Sequence, residues 1–519
     1  MNQTLKTQVL IVGGGVTGTG LARDLAMRGI DCILAEKRDI NAGASGGNHG
    51  LLHSGARYVA SDPSAARECR SEGRLLKKLA AHCIEPAGGL FVAVAGDDEH
   101  YITDFPTRCA NAGIHATPLD LQEARELEPA LGPRMIAAYA VEDATIDPFK
   151  ISLDNIAHAR LLGARLLSFT QVMDFRIHQG RIRSVGLQDT LTGRESLLEP
   201  DIVVNASGAW AAEVAALAGI KIPMVYSKGT LLVTQERVAG RVINRLRAPA
   251  DGDIVVPGGT VSILGTTSER TASPDSIYPE VHEVDHLIEQ ASAMLPGLAS
   301  TRYIRAFCGV RPLLNSGESD DRSISRGFAL IDHRRDRRPV RNLITITGGK
   351  LTTFRLMAEK TADLVCRHLG TQASCRTHLE PLPNTVDARW TEPGLAPNQW
   401  IRRNDPGDML LCECEMVPQS VVDTIVSSIR SQGGRPSMKT LSLRSRIGKG
   451  PCQGSFCSLR VISYLYDAMQ FQADRGLDEL RTFLNERWRG QQPLLWDMPL
   501  AQAELMEAMH CGLLGLELD

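Results

Sequence analysis

The chain has 519 residues, which is too long for one hydrophobic core and predicts two or three domains. Its 57 basic and 60 acidic residues leave a net charge of -3, so no general attraction to nucleic acid or to a membrane surface is expected. No apolar run reaches the roughly 18 residues that a membrane span requires, and the first apolar run belongs to a predicted strand rather than to a signal peptide. We therefore expect a cytoplasmic protein.

The N-terminal segment has the pattern of a dinucleotide-binding βαβ unit. The apolar residues 9–12 predict a buried parallel strand, and Gly13, Gly15 and Gly18 follow it in G-x-G-x-x-G spacing. A helix and a second strand come next, and that strand ends at Glu36, where a carboxylate can accept hydrogen bonds from the ribose hydroxyls of an adenosine. The complete context makes this pattern more specific than the glycines alone would be.

The residues after Glu36 favour a flavin over a nicotinamide cofactor. Residues 42–48 are small and polar, which suits extended backbone lying against a bulky cofactor. The next segment, NHGLLHSGARY, places His49, His53, Arg57 and Tyr58 just downstream. We interpret these side chains as facing a substrate, and a structural loop with satisfied hydrogen bonds is the alternative.

The middle of the chain predicts helices and a second sheet. Residues 64–83 have helical periodicity, and Asp147-Pro148 starts another helix that Gly163 ends. Residues 201–205 form an apolar strand that runs into a small-residue turn, as expected of a later strand returning to the cofactor. Residues 221–267 are rich in strand patterns and predict an antiparallel substrate domain inserted between pieces of the nucleotide domain.

Two further features precede the C-terminal part. Residues 342–357 form a third glycine-marked junction, and a helix starting near Gly349 would direct its positive N-terminal end at the cofactor. Five arginines between residues 334 and 341 are interpreted as a solvated turn, since no aromatic residues are interleaved, with an anionic-lipid or nucleic-acid patch as the alternative. Proline-rich residues 371–404 predict a linker or irregular wrap.

Four cysteines form two pairs near the C-terminus, whereas the other eight are scattered singly as expected of reduced thiols. The pairs are C-x-C (Cys412 and Cys414) and C-x4-C (Cys452 and Cys457). Four thiolates suit an iron–sulfur cluster or zinc, and the spacing is less typical of zinc sites, so a [2Fe-2S] cluster is favoured. A disulfide is the remaining alternative. Arg444, Arg446 and Lys449 would offset the cluster charge or face solvent.

The end of the chain predicts a helix with one apolar face. Leu505, Met509, Leu513 and Leu516 lie near that face. We interpret it as packing on the helix's own domain, and docking to another protein of a complex is the alternative.

Together these motifs resemble the family of A subunits of anaerobic glycerol-3-phosphate dehydrogenases along the whole chain. The glycine turn with Glu36 and the segments NHGLLHSGARY, FCGVRP, TGGKLTTFR, CEC, GPCQGSFC and FLNERWRG carry the resemblance. It implies an α/β fold similar to D-amino-acid oxidase over residues 1–370, with non-covalent FAD in a Rossmann-like domain and an inserted antiparallel substrate domain. It also implies a linker over 371–404, a small [2Fe-2S] domain over 405–460 similar to bacterioferritin-associated ferredoxin, and a helical tail over 461–519.

The resemblance further implies roles for individual residues. Arg57, Tyr58, Arg311 and Lys350 would bind the substrate, and Arg57, His53, Arg311 and Lys350 would be catalytic. The aerobic relatives carry a histidine where this chain has Leu231, so His53 and Lys350 are the candidates for the base. Cys412, Cys414, Cys452 and Cys457 would hold the cluster. The cofactor-binding residues would be Gly13, Gly14, Gly15, Thr17, Gly18, Glu36, Ser45, His49, Ala206, Gly208, Gly348, Gly349, Leu351 and Thr352.

The implied reaction is hydride transfer from C2 of sn-glycerol 3-phosphate to flavin N5, which gives dihydroxyacetone phosphate. Electrons would then pass one at a time through the [2Fe-2S] cluster and the partner B and C subunits to quinone. The C subunit is membrane-bound in that family, so the chain would lie on the inner face of the cytoplasmic membrane. The rival interpretations are an amino-acid or opine dehydrogenase with the same two cofactors, and an assembly protein with a vestigial flavin fold.

Overall fold

The protein is described as a computed structural model over residues 4–275, 277–314, 327–431 and 433–518. The strands in chain order are β1 (Leu5–Val12), β2 (Cys32–Ala35), β3 (Leu51–Leu52), β4 (Ile84–Glu85), β5 (Gly89–Val94), β6 (Thr117–Leu119), β7 (Met135–Val141), β8 (Ala144–Ile146), β9 (Arg165–Leu167), β10 (Thr170–His178), β11 (Arg181–Asp189), β12 (Glu195–Asn205), β13 (Met224–Thr234), β14 (Val242–Arg245), β15 (Ile254–Gly258), β16 (Val261–Gly265), β17 (Glu269–Thr271), β18 (Tyr303–Leu314), β19 (Phe328–Asp332), β20 (Leu343–Gly348), β21 (Leu410–Cys412) and β22 (Val417–Pro418). The helices are α1 (Val16–Met27), α2 (Pro63–Leu79), α3 (Glu99–Asn111), α4 (Leu121–Leu127), α5 (Pro148–Leu161), α6 (Ala211–Ala216), α7 (Val281–Ser292), α8 (Phe354–Leu369), α9 (Val386–Arg389), α10 (Leu395–Arg403), α11 (Gln419–Ser431), α12 (Met438–Arg444), α13 (Cys457–Asp467), α14 (Arg475–Gln491) and α15 (Asp497–Leu514).

The first sheet is the Rossmann-like core that the N-terminal motif predicts. Its parallel strands run in the order β9, β2, β1, β12 and β20, and antiparallel strands β19, β10 and β11 extend it. Helix α1 packs beside α5 and α8 on one face, where Leu21, Leu25 and Val365 are buried with the apolar side chains of the strands. Because parallel strands direct their carboxyl ends to one edge, the turns after β1, β2, β12 and β20 meet there.

The second sheet comes from segments that interrupt the first. It has nine strands, with β18 beside β13 at one end and β5, β7 and β6 at the other. Its pairings are antiparallel except for β14 with β5, and β15 and β16 form the hairpin that the sequence predicts. The chain crosses between the two sheets repeatedly, so the inserted substrate domain is built from several separate stretches. The cofactor edge of the first sheet therefore faces the second.

The C-terminal part has its own hydrophobic core. This core extends from Trp390 to Leu516 and buries side chains of α11, α12, α13 and α14. The predicted linker is partly helical, since α9 and α10 lie within it, and Trp390 and Ala396 enter the C-terminal core. The boundaries predicted at residues 404 and 460 fall inside this one core, and the division into four domains stays a prediction.

The local predictions are confirmed, with one difference of detail at the start of a helix. Asp147 caps α5 by accepting hydrogen bonds from the backbone N–H groups of Phe149 and Lys150 at 2.8 and 3.0 Å. The helix expected near Gly349 instead begins with a 3-10 turn at Leu351, because Gly348 and Gly349 adopt left-handed φ angles of 79° and 72°. No helix in the described ranges is both long and apolar enough to cross a membrane.

Candidate active site

A cavity of about 710 Å³ lies where the carboxyl edge of the first sheet faces the second sheet. Its walls bring together the glycine turn, the NHGLLHSGARY segment, Arg311 and the turn after β20. Of the predicted cofactor residues, Gly18 and Thr352 are not in the wall. The ones that line it are Gly13, Gly14, Gly15, Thr17, Glu36, Ser45, His49, Ala206, Gly208, Gly348, Gly349 and Leu351.

The glycines after β1 have the separate roles that their spacing indicates. Gly13 has φ +113°, and a Cβ added there would lie 2.7 Å from the carbonyl oxygen of Ala206. At Gly18 a Cβ would lie 2.0 Å from the carbonyl oxygen of Gly13, so this glycine permits close packing of α1. Gly15 faces Ser45, whose Oγ accepts a hydrogen bond from the Val16 N–H at 2.9 Å. The helix N-terminus and Ser45 thus form a polar cradle suited to a pyrophosphate.

Glu36 lies at the end of β2, where the motif places a ribose-binding carboxylate. Its oxygens accept hydrogen bonds from the N–H groups of Gly14 at 2.7 Å and Arg38 at 2.8 Å. Burial raises the pKa of Glu36, and those two hydrogen bonds act in the opposite direction. Each carboxylate oxygen has a second lone pair, so both remain able to accept a hydroxyl hydrogen bond.

The predicted substrate residues converge on the same cavity from distant parts of the chain. His53, Arg57, Tyr58, Arg311 and Lys350 all line it. The Tyr58 hydroxyl lies 3.3 Å from His53 Nε2, and Lys350 Nζ lies 4.9 Å from the centre of the Tyr58 ring. The turn after β20 therefore places a lysine beside the histidine–tyrosine pair of the earlier segment.

Two arginines on opposite walls are fixed by polar partners. Arg57 Nη2 lies 3.0 Å from Oδ2 of Asp253, a fully buried carboxylate. Arg311 donates to Ser227 Oγ at 3.3 Å, to the Thr267 carbonyl at 3.0 Å, and to Thr266 Oγ1. Guanidinium groups held this way present donors in a defined direction, which suits recognition of an oxyanion.

The histidines of this cavity are held neutral. Burial lowers the pKa of His49 to about 3, and the charges of Arg311 and Arg57 add to the effect. Burial also lowers the pKa of His53 well below its usual value. The nearby groups His49, Arg57 and Lys350 lower it further. A neutral imidazole can accept a proton, which a general base requires. A doubly negative ligand bound beside His53 would raise the pKa of this side chain back toward its usual value.

Some residues in the cavity wall or directly behind it have no signal in the sequence. Asp253, Thr266 and Trp210 were not predicted, although Asp253 positions Arg57, Thr266 positions Arg311, and Trp210 lines the cavity under Lys37. Each acts on a residue that is far away in the chain. A single sequence therefore offers no spacing that would reveal them.

The structure also brings together the four clustered cysteines, which we call the cysteine group (Cys412, Cys414, Cys452 and Cys457). The sulfur atoms of Cys412 and Cys414 are 3.8 Å apart, and those of Cys414 and Cys452 are 3.5 Å apart. Cys412 and Cys457 are buried, whereas Cys414 is exposed. Hydrogen bonds from Cys414 and Cys457 lower the pKa of the Cys452 thiol.

Neighbouring sulfur atoms of the cysteine group are spaced like metal-bound thiolates, but the group does not form one compact set around a single point. In the described part of the chain, three sets of ligand-type side chains have all their ligand atoms within 4.8 Å of one another, and no three of these cysteines form such a set. The sulfur ligands of a tetrahedral zinc ion lie about 3.8 Å apart. The donor set is soft thiolate sulfur, which iron–sulfur clusters and zinc both accept.

The cations near the cysteine group are mostly paired. Arg444 is buried and paired with Asp39 of the Rossmann-like domain, while Arg446 makes two contacts of 2.9 and 3.0 Å with Glu415. Lys449 lies over the Phe149 ring. The alternative that these cations face solvent is therefore wrong for Arg444, whose side chain is 6% exposed.

Two surface predictions have different outcomes. The five arginines between residues 334 and 341 are exposed around a short 3-10 turn, which agrees with a solvated turn. In the C-terminal helix, Leu505, Met509 and Leu513 are 61%, 48% and 76% exposed, and only Leu516 of the predicted face is buried. Packing of that face on its own domain is therefore not what the structure shows.

Comparisons with known proteins agree with this architecture. The family model described as FAD dependent oxidoreductase matches residues 8–364. The A subunit of anaerobic glycerol-3-phosphate dehydrogenase from Escherichia coli (strain K12) is 40% identical, with 98% of this chain and 97% of that protein covered. The A1 subunit of the Haloferax volcanii enzyme is 37% identical, with coverage of 98% and 91%. The structure of glycerol-3-phosphate dehydrogenase from Bacillus halodurans complexed with FAD has a TM-score of 0.65 at 20% identity, covers 95% of this chain and 96% of that one, and shows a shared fold.

Proposed function

We propose a function on the premise that the chain belongs to the FAD-dependent oxidoreductases and, among them, to the A subunits of anaerobic glycerol-3-phosphate dehydrogenase. In this proposal the protein oxidises sn-glycerol 3-phosphate to dihydroxyacetone phosphate. The cavity fits FAD in its donor set, because glycine backbone, Ser45 and the start of α1 form a cradle next to Glu36. When bound, FAD supplies a two-electron acceptor for the hydride of C2.

The observation that carries the proposal is the convergence of three cationic side chains on the cavity that holds the glycine turn. Arg57, Arg311 and Lys350 come from three segments and line one space. A phosphate ester dianion needs several charge-assisted donors, and a neutral substrate such as an alcohol without phosphate does not. We assign these three residues and Tyr58 to substrate binding.

We assign His53 as the base that accepts the proton of the C2 hydroxyl. Its imidazole is neutral and its Nε2 faces the Tyr58 hydroxyl, so it can accept a proton while Tyr58 fixes the ring orientation. Lys350 lies over the other face of Tyr58 and offers N–H donors to the substrate oxygens. This division of roles selects His53 over Lys350 as the base.

The cysteine group is proposed to hold a [2Fe-2S] cluster that receives electrons from the flavin one at a time. Four thiols in two adjoining pairs form a soft donor set that suits two irons bridged by sulfide, and the C-x-C and C-x4-C spacing is less typical of zinc. The partner B and C subunits and finally quinone would take the electrons onward, and those partners would hold the chain at the inner face of the cytoplasmic membrane. The cluster domain is assigned to the part of the chain after residue 404.

Three measurements on the purified chain test the proposal. A visible spectrum should show flavin, metal analysis should show iron and sulfide rather than zinc, and anaerobic glycerol 3-phosphate should bleach the flavin. Bleaching by an amino acid or an opine instead would move the assignment to that class of dehydrogenase. A chain without flavin would support an assembly role.

A further inference from the structure

A buried ion pair joins the C-terminal domain to the Rossmann-like domain. Arg444 Nη1 and Nη2 lie 2.6 and 3.2 Å from the two carboxylate oxygens of Asp39. Both side chains are almost inaccessible, at 6% and 2% exposure. Such a pair has a fixed bidentate geometry, and loss of one partner leaves a buried charge uncompensated.

Asp39 belongs to the segment that forms a wall of the flavin cavity. One residue on, the Ile40 N–H donates to the Asp39 carboxylate at 2.8 Å, and the Asn41 N–H donates to the Gly14 carbonyl at 3.0 Å. The segment then continues through Ser45 to His49, both in the cavity wall. A displacement of Asp39 would therefore be transmitted through residues 40 and 41 to the glycine turn.

Arg444 is the last residue of α12, which leads directly into the loop of the second cysteine pair. Its guanidinium also donates to the Thr440 carbonyl of the same helix at 3.2 Å. The loop continues to Gly450, where an added Cβ would lie 2.6 Å from Cys414 Sγ. The ion pair is thus rigidly connected to the cysteine group on one side and to the flavin wall on the other.

A second contact runs parallel to the ion pair. Lys449 Nζ lies 4.9 Å from the centre of the Phe149 ring. The edge of that ring lies 3.2 Å from the position of a Cβ added at Gly46, in the cavity wall segment. Beside a second cavity of about 1230 Å³, this lysine–ring contact therefore joins the cysteine loop to the segment that lines the first cavity.

We propose that Asp39 and Arg444 are positioning residues that hold the cysteine group at a fixed place relative to the flavin, so that electrons pass between them within one chain. The inference rests on the proposed function. Oxidation of the C2 alcohol leaves two electrons on the flavin and releases the hydroxyl proton. The cluster takes one electron, and the second follows after the first has moved to the next acceptor.

The test separates positioning from stability with a matched control. Asp39→Asn removes the charge of the interdomain pair. The control is Asp97→Asn, which removes the charge from another buried bidentate pair. In that pair Arg245 lies 2.9 to 3.1 Å from the Asp97 carboxylate, within the second sheet and its neighbours. Both variants are studied as holoproteins, with flavin and iron content measured first.

Anaerobic single turnovers with glycerol 3-phosphate are followed by flavin absorbance and by the electron paramagnetic resonance signal of the reduced cluster. For Asp39→Asn we expect flavin bleaching within about threefold of wild type and cluster reduction slowed on the order of tenfold or more. Turnover with a dye that accepts electrons from the flavin should change little in kcat or KM. The Asp97→Asn variant should behave as wild type in both steps.

Equal slowing in both variants, or unchanged cluster reduction in Asp39→Asn, would overturn the positioning role. If Asp39→Asn does not fold, Arg444→Lys, which keeps the charge but not the bidentate geometry, must show the same selective loss. Wild-type protein in which substrate bleaches the flavin but the cluster is never reduced would instead overturn the proposed role of the cluster as electron acceptor. Wild-type protein that does not bleach at all would overturn the proposed substrate.

Discussion

The flavin cavity and the cysteine group differ in how completely the polypeptide alone builds them. In the cavity, the glycine turn, Ser45 and Glu36 line one space, and the backbone N–H groups of Val16 and Gly14 already hold those two side chains in place. In the cysteine group, four thiols lie side by side, and hydrogen bonds between them lower the pKa of Cys452 while the pKa of Cys412 is raised. Four thiolates cannot coexist at this distance without a cation between them.

This contrast predicts that the structure of the cavity depends less on its cofactor than the structure of the cysteine group depends on its metal. The cavity is supported by strands and helices of a large core, so its shape should persist when the cofactor is absent. In the cysteine group, Cys414 and Cys452 lie in turns, Cys412 ends the short strand β21 and Cys457 begins α13, so removal of metal should loosen the turns between these elements. Variants in each region should therefore fail in different ways.

The largest effect is expected for Gly15→Val. The added side chain would enter the cradle beside Ser45 and occupy the space of the pyrophosphate, so the purified variant should contain no FAD. The ratio of flavin to protein absorbance measures this. Gly512→Ala is the control, because a Cβ there meets no neighbouring atom within 4 Å. Stoichiometric flavin in Gly15→Val would contradict the assignment of the cradle.

Cys412→Ser should abolish electron delivery but not substrate oxidation. Serine lacks the soft thiolate that iron–sulfur clusters prefer, so iron should be lost while the cavity stays intact. Glycerol 3-phosphate should still bleach the flavin, and quinone-linked turnover with the partner proteins should collapse. The single cysteine Cys109 provides a control as Cys109→Ser. Quinone-linked turnover that survives loss of iron would exclude the cysteine group as the outlet.

A loss of about hundredfold or more in kcat/KM is expected for Arg311→Ala. The variant leaves the substrate oxyanion without one of its donors, while the cradle that binds FAD is untouched. Steady-state kinetics with a dye acceptor measures the effect at unchanged flavin content. Arg335→Ala removes an exposed arginine and should change nothing. A decrease of less than about threefold would remove Arg311 from the site.

The buried neutral His49 should make stability depend on pH. The unfolded chain takes up a proton near pH 6.5, but the folded protein does so only near pH 3, so the unfolding free energy falls as pH drops through that window. In His49→Gln this part of the slope should disappear. Denaturant unfolding between about pH 7 and about pH 5 tests it. His100→Gln, at an exposed position, should keep the wild-type slope.

The smallest effect on the isolated chain is expected at the C-terminal helix. Replacing exposed Leu505, Met509 and Leu513 with Ser should change the unfolding free energy by no more than about 0.5 kcal/mol per site. Co-purification with the B and C subunits should weaken if this face docks to one of them. Deletion of all residues after Trp496 is less informative, because it also removes the buried Leu516. Unchanged co-purification of the triple variant would exclude this face as the docking surface.

Local patterns in the sequence predicted much of the flavin cavity. Gly13, Gly15 and Gly18 act through the turn that contains them, and Asp147 caps the helix that follows it. The helix expected near Gly349 follows two consecutive left-handed glycines, with a 3-10 turn at Leu351–Thr353 before α8 begins at Phe354. The candidate substrate residues were predicted from family motifs, and their convergence on one cavity was visible only in the structure.

The sequence by itself determined the strand–glycine–helix unit, the strand-rich segment 221–267 and the presence of four paired cysteines, because each depends on residues that are neighbours in the chain. Only the tertiary structure decided that Asp253 orients Arg57, that Thr266 orients Arg311, and that Asp39 binds Arg444. It also decided that most of the predicted apolar face of the last helix is exposed. The physical reason is that these contacts join elements far apart in sequence, and their geometry depends on how the sheets and the C-terminal core pack together.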